Sequence, residues 1–281
     1  MVTVTAPAKI NLTLEILRKR PDGFHEIRSV LQTIDLCDTL YVESGEGVSF
    51  QCDMEGWSAD KSLVTKAVVL LRESTGCKKG AEIKIEKHIP LMSGLGGDSS
   101  NAAAVLCALN DLWGLNLPPE KLAELAAKLG SDVAFFLRGG TALAAGRGEK
   151  ITPLPPIGRM WLVLVVPDTP VETGKTGRMY ANLKPSCFTD GDITKMLVEA
   201  LHKGKPFRPS MLFNTFENIA FEDFNIKQIY VEHLIKLGAL HVHLAGSGPA
   251  LFTMFQDQAR TEDIYRRCKS QGMKAFMAAT L

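Results

Sequence analysis

The chain has 281 residues, with 32 Lys and Arg against 31 Asp and Glu, so a formal net charge of +1 gives no basic surface for nucleic acid. That length suits about two domains, each large enough to bury its own core. No apolar run approaches the roughly 20 residues of a membrane span, so neither a nucleic-acid nor a membrane partner is expected. Patterned sequence begins by Val2, which leaves no room for a cleaved targeting peptide, and a cytoplasmic location is expected. Cys37, Cys52, Cys77, Cys107, Cys187 and Cys268 form no C-x-x-C pair and read as reduced packing residues rather than disulfides or a zinc site.

In chain order, strands alternate with helices and no internal repeat is present. Lys9 to Leu17 alternates with period two, placing Ile10, Leu12, Leu14 and Ile16 on one face and Lys9, Asn11, Thr13 and Glu15 on the other. Ser62 to Glu73 has helical spacing with Gly76 beyond it, Ala81 to Lys87 reads as a short strand, and Ser99 to Trp113 reads as a helix. Pro118-Pro119-Glu120 opens a further helix that stops at Gly130. After a strand near Thr141 to Ala145, the Pro-rich joint Pro153-Leu154-Pro155-Pro156 sets a boundary between domains of residues 1–155 and 156–281. Beyond it the pattern predicts a strand at Trp161 to Val166, a loop to Gly177 and helices near Ile193–Leu201, Met211–Ala220 and Ile226–Leu237. A strand at Leu240–Leu244 and a closing strand, helix and strand complete it. The class expected is α+β with two domains, an α/β N-terminal one and an α+β sandwich with helices on one face. His241 and His243 share a strand face; without a neighbouring carboxylate or cysteine in sequence, a structural role is preferred to metal binding.

The most informative segment is Pro90-Leu91-Met92-Ser93-Gly94-Leu95-Gly96-Gly97-Asp98-Ser99-Ser100-Asn101. Its glycines let backbone N–H groups converge, and the helix behind it presents first-turn amides and a dipole that favour an anion. A polyphosphate suits such a cradle; a plain glycine turn before a capped helix is the alternative. It is not a Walker A loop, nor a dinucleotide fingerprint, because Ser99 stands where the third glycine belongs. Two residues suit chemistry on a terminal phosphate. Asp132, flanked by apolar residues in Gly130 to Phe136, is either a proton acceptor or a helix cap. Lys9 is either a charge-neutralising ammonium or a solvated edge lysine.

These residues carry a resemblance. The loop resembles the P-x-x-x-G-L-G-G-S-S-A-A type of the GHMP kinase superfamily, small-molecule kinases that bind ATP without a Walker A loop. Pro7 to Leu12, Arg20 to Glu26 and Ser29 to Asp35 are similar to the 4-diphosphocytidyl-2-C-methylerythritol kinase family within it, as are Gly130 to Phe136, Asn214 to Glu217 and Leu244 to Ala250. The resemblance implies the two-domain GHMP architecture and transfer of the ATP γ-phosphate to the 2-hydroxyl of the cytidine-diphosphate-linked alcohol. It implies Asp132 as base with Lys9 steering charge, residues 90–101 as the ATP loop, and Asn11 bonded to substrate. His25 would read the cytosine edge, Phe24 or Tyr180 would stack on the ring, and Thr173, Gly246 and Ser247 would line the substrate site. ATP is expected as its Mg²⁺ complex; Ser99 or Ser100 could contribute a hydroxyl, and the metal ligands are otherwise unassigned. Other GHMP kinases, or a non-catalytic nucleotide binder, are the competing readings; retention of both Lys9 and Asp132 argues against the binder.

Three departures stand out. Asp98 puts a carboxylate inside the cradle, where it would repel phosphate unless it points outward, caps the helix or meets Mg²⁺; capping is expected. Phe24 replaces a tyrosine frequent beside this histidine. The spacing from Thr173 to Tyr180 is longer than in several relatives, which loosens the assignment of Tyr180 as stacker.

Overall fold

A computed structural model describes residues 1–168, 175–217, 219 and 225–281. The chain divides into two compact units. The first comprises Met1–Ala8, Leu36–Leu91 and Gly96–Gly139, and the second Lys9–Asp35, Met92–Leu95 and Gly140–Leu281. Two long strands, β1 (Val2–Lys19) and β2 (His25–Gly45), contribute residues to both. Among the described residues no helix is long and apolar enough to cross a membrane.

In the first unit, β3 (Val48–Cys52) runs parallel to β4 (Gly80–Glu86), and β4 runs antiparallel to β2 from Thr39↔Glu86 to Gly45↔Gly80. The period of two is visible in β4, where Ala81, Ile83 and Ile85 are buried while Glu82 and Lys84 face out. The buried side of the sheet packs on α1 (Leu63–Thr75) and α2 (Gly97–Trp113) through Leu40, Val42, Val64, Val68, Leu71, Leu106 and Leu109. Each such fully buried aliphatic side chain contributes about 1.5–3 kcal/mol. Helices form where the spacing from Ser62 and the Pro118-Pro119 start place them. Ser62 caps α1 by accepting from Val64 N at 3.1 Å, Gly76 ends it with φ +68°, and Pro119 opens α3 (Pro119–Leu129). A short helix, α4 (Ser131–Phe136), follows Gly130.

In the second unit, β5 (Thr141–Gly146) pairs antiparallel with β2 from Ile27↔Gly146 to Gln32↔Thr141, and β6 (Lys150–Pro153) adds to β5. A separate antiparallel sheet of four strands contains β7 (Trp161–Val165). Chain order then gives α5 (Lys175–Ala181), α6 (Asp192–His202), β8 (Phe213–Asn214), α7 (Asn225–Lys236), β9 (His243–Leu244), β10 (Leu251–Phe255), α8 (Gln258–Ser270) and β11 (Ala275–Ala279). The four-stranded order is β11-β7-β10-β9. Val163, Val165, Leu251 and Ala275 of this sheet bury against Leu234 of α7, Leu237 just after it, and Ile264 and Cys268 of α8.

The structure corrects the sequence reading in three places. The helix expected at Met211–Ala220 gives way at Phe213–Asn214 to a strand parallel to β1, with Thr215 N donating to Leu14 O at 2.9 Å. Glu217 and Ile219 are helical as expected, but ahead of them the open edge of β1 captures the backbone despite the apolar spacing of Leu212, Phe216 and Ile219. The strand expected from Leu240 begins only at His243, and Leu240 is exposed. Asp98 does cap a helix, yet not the one it belongs to. Its Oδ1 accepts from Ser62 Oγ at 2.6 Å and its Oδ2 from Leu63 N at 2.8 Å, so it closes the N-terminus of α1, while α2 starts after Gly96 without a side-chain cap. Asp98→Ala is expected to cost about 1–2 kcal/mol, the range of a lost N-cap. A urea midpoint lowered at unchanged slope checks it; an unchanged midpoint would show the two bonds to be worth nothing.

Candidate active site

Lys9 and Asn11 lie on one face of β1 in the second unit, as alternation requires, but that face is not solvated. Neighbouring strands β2 and β8 flank β1, and Lys9 is only 5% exposed. The edge-lysine reading is therefore excluded. Lys9 Nζ donates to Asn11 Oδ1 at 2.8 Å, and Asn11 Nδ2 donates to Ser29 Oγ at 2.7 Å. Over these two side chains passes the turn after β9. Asn11 N donates to Ala245 O at 3.1 Å, and a Cβ on Gly246 would lie 3.2 Å from both Lys9 Nζ and Asn11 Oδ1. Gly246 is thus a close-approach glycine rather than only a turn residue. Asn214 holds this turn in place, its Nδ2 donating to Leu244 O at 3.1 Å and to Gly246 O at 3.0 Å. Ser247 is half-buried in the same turn.

The part of the glycine loop in the second unit, Met92–Leu95, touches the same region. Lys9 N donates to Leu95 O at 2.9 Å and Ala250 N to Ser93 O at 3.0 Å. Gly94 has φ +86°, and an added Cβ would come within 2.6 Å of Gly248 Cα. Met92 is exposed with φ +52°, an uncommon conformation for a residue with a Cβ.

The rest of the loop belongs to the first unit. Gly96, at φ +75°, precedes α2, and Gly97, Asp98 and Ser99 form its first turn with no side-chain cap on their amides. With Asp98 turned to α1, no carboxylate of its own opposes an anion at this end. Ser100 Oγ and both polar atoms of the Asn101 amide are buried without a hydrogen-bond partner among the described residues, an arrangement that calls for a ligand or water to satisfy them. Pro90 is buried and Leu91 half-buried. Leading into them, the Asp38 carboxylate receives buried Lys87 Nζ and accepts from His88 N and Ile89 N at 2.8 Å each. Asp132, half-buried at the second position of α4, also lies in this unit; the N-cap position of α4 is Gly130.

In the second unit an aromatic cluster surrounds His25. Its ring stacks on Tyr180 at 5.0 Å between centroids, and Tyr180 meets Phe216 edge-on at 5.0 Å. Phe24 is 54% exposed, with the Arg147 guanidinium 4.8 Å from its ring centre. Burial, and then the charge of Lys19, push the His25 imidazole below its ordinary value, which favours the neutral ring with one donor and one acceptor nitrogen. Thr173 lies outside the described residues. His243 has a carboxylate partner after all, with Nδ1 3.0 Å from Glu217 Oε1, which also accepts from Leu244 N at 2.9 Å. This is a structural contact, and no group of three or more metal-ligating side chains occurs among the described residues. Sequence reasoning missed Ser29, Asp38, Ser62 and Lys87, whose parts depend on partners distant in the chain.

Comparison with known proteins identifies the family. The family described as GHMP kinases N terminal domain matches residues 62–140, and GHMP kinases C terminal matches residues 227–274. A 4-diphosphocytidyl-2-C-methyl-D-erythritol kinase of Dehalococcoides mccartyi is 47% identical, covering 100% of this chain and 99% of its own. One from Caldanaerobacter subterraneus subsp. tengcongensis is 38% identical over 98% of this chain and 94% of its own. A crystal structure of 4-(cytidine 5'-diphospho)-2C-methyl-D-erythritol kinase has TM-score 0.83 at 30% identity and covers 99% of both chains. A homoserine kinase structure from Cytophaga hutchinsonii, with TM-score 0.68 at 20% identity over 100% of this chain and 94% of its own, shares the fold. At 47% identity over its full length to such a relative, the chain belongs to the 4-diphosphocytidyl-2-C-methyl-D-erythritol kinase family of the GHMP kinases, an α+β family of small-molecule kinases.

Proposed function

We propose that the chain transfers the γ-phosphoryl group of ATP to the 2-hydroxyl of 4-diphosphocytidyl-2-C-methyl-D-erythritol, a step in the non-mevalonate route to isoprenoid precursors. The observation that carries this acceptor is the exposed Phe24 ring beside a neutral His25. A pyrimidine needs a stacking surface and a paired donor and acceptor, whereas mevalonate, homoserine or a sugar needs neither. Phe24 is the better stacker, because Tyr180 is already engaged by His25 and Phe216. We assign Thr173 to the substrate site on resemblance alone.

In this reading residues 90–101 receive the triphosphate, with the uncapped first-turn amides of α2 as anion donors and Ser100 and Asn101 supplying buried polar atoms. The donor set fits a Mg²⁺ ion carried by the phosphates, held by their oxygens, water and the hydroxyl of Ser99 or Ser100, rather than by a carboxylate cage. When bound, that ion neutralises phosphate charge. Asp132 takes the proton of the 2-hydroxyl as its oxygen bonds to the γ-phosphorus; the bond to the β–γ bridging oxygen breaks and ADP leaves. Lys9 offsets charge at the transferring group, Asn11 bonds the substrate near the reacting hydroxyl, and Gly246 and Ser247 line its path. The boundary at 155/156 falls between the two matched family segments, which supports it as the domain division. We assign a cytosolic location and no nucleic-acid partner.

A substrate panel with ATP tests the reading. The cytidine-diphospho alcohol should be phosphorylated in preference to mevalonate, homoserine and galactose, and turnover of any of those three alone would overturn it. Asp132→Asn should lower kcat by roughly two to four orders of magnitude at similar ATP affinity; near-normal kcat would remove Asp132 as base. His25→Ala should raise chiefly the KM for the cytidine substrate. Because the folded-state value of His25 is depressed, that KM in the wild-type protein should stay flat as pH falls through the ordinary imidazole range and rise only below it.

A further inference from the structure

Behind Lys9 and Asn11 a chain of hydrogen bonds runs in one direction, and chemistry dictates both of its ends. Lys9 has donors only, so its 2.8 Å contact must fall on the Asn11 amide oxygen, which turns the amide nitrogen toward Ser29 Oγ at 2.7 Å. At the other end Ser29 Oγ lies 2.6 Å from the carbonyl oxygen of Thr13, which can only accept. The one hydroxyl proton of Ser29 is committed to Thr13, so Ser29 meets Asn11 as an acceptor. Thr13 is itself anchored, its Oγ1 accepting from Val30 N at 3.0 Å and from Thr194 Oγ1 at 3.0 Å. Lys9, Asn11, Thr13 and Ser29 are all buried.

We propose that Ser29 is a positioning residue for phosphoryl transfer. Its hydroxyl decides which end of the Asn11 amide faces Lys9, and thereby where the ammonium is held. This rests on the assignment of Lys9 and Asn11 to the reaction. Without the hydroxyl, Asn11 Nδ2 loses its acceptor in a buried setting, and an amide turned to find another would present a donor to the donor Nζ. Among the described residues the Ser29 hydroxyl bonds only to Asn11 and Thr13, so nothing there competes for this bond.

The experiment is a double-mutant cycle in the full-length protein, with kcat and both KM values measured on whichever alcohol of the panel the wild type phosphorylates. Failure of the acceptor assignment then shows as the wrong alcohol, and failure of the Ser29 proposal as the wrong ratio between variants. Ser29→Ala should lower kcat about tenfold with the KM for ATP within about twofold. Ser29→Thr, which keeps the hydroxyl, should recover most of the loss. In an Asn11→Ala background Ser29→Ala should add nothing, because the residue acts through Asn11. If Ser29→Ala does not fold, as thermal melting would show, the near-isosteric Ser29→Cys is read in its place. Wild-type kcat in the folded variant, a loss that multiplies that of Asn11→Ala, or a folded Ser29→Thr no better than Ser29→Ala would each overturn the proposal.

Discussion

Backbone lies directly against buried polar side chains where Gly246 passes over Lys9 and Asn11, and the convergence of the segments around them depends on that approach. A methyl group there would stand 3.2 Å from both polar atoms and 3.3 Å from Gly94 O. The same turn brings Gly248 so near Gly94 that a Cβ on it would lie 2.4 Å from Gly94 Cα. Three glycines therefore allow three segments distant in sequence to converge without side chains between them. Asn214 supplies the polar tie, carrying two carbonyls of the turn on one amide while its Oδ1 accepts from Phe216 N at 3.0 Å.

A second constraint is the burial of a strand face that alternation marks as polar. Burying Lys9, Asn11, Thr13 and Glu15 is unfavourable unless each finds partners, since an unpaired buried polar group costs about 1–3 kcal/mol. The Ser29 and Thr194 side chains and backbone groups of β2 meet most of that demand. Glu15 Oε2 accepts from Thr194 N at 2.6 Å at the start of α6, while its Oε1 has no partner among the described residues. A network bonded in this directional way has few alternative arrangements, which is the physical basis for rigidity around the buried Lys9 amine.

The first unit solves a related problem with carboxylates. Asp38 gathers Lys87 and two successive amides just before Pro90, and Asp98 gathers Ser62 and Leu63 just after Gly96. Each fixes a stretch of backbone that adjoins the glycine loop. The carboxylate that looks, in sequence, like an obstacle to phosphate is instead consumed by a neighbouring helix, and the amides of α2 are left without a side-chain competitor.

Signals that act within a few residues were legible in the chain alone: the alternation of β1, the glycine loop opening α2, the helix stop at Gly76 and the helix start at Pro119, and through resemblance the family. Local periodicity misled at Phe213–Asn214, where the edge of β1 outweighed a helical apolar spacing. Only the tertiary structure decided that the Lys9 face is buried, that Asp98, 36 residues from Ser62, caps α1, and that Ser29, 18 residues from Asn11, orients its amide. Those outcomes turn on which strands and helices become neighbours, because a hydrogen bond across such separations is set by packing and register rather than by the covalent spacing that a sequence displays.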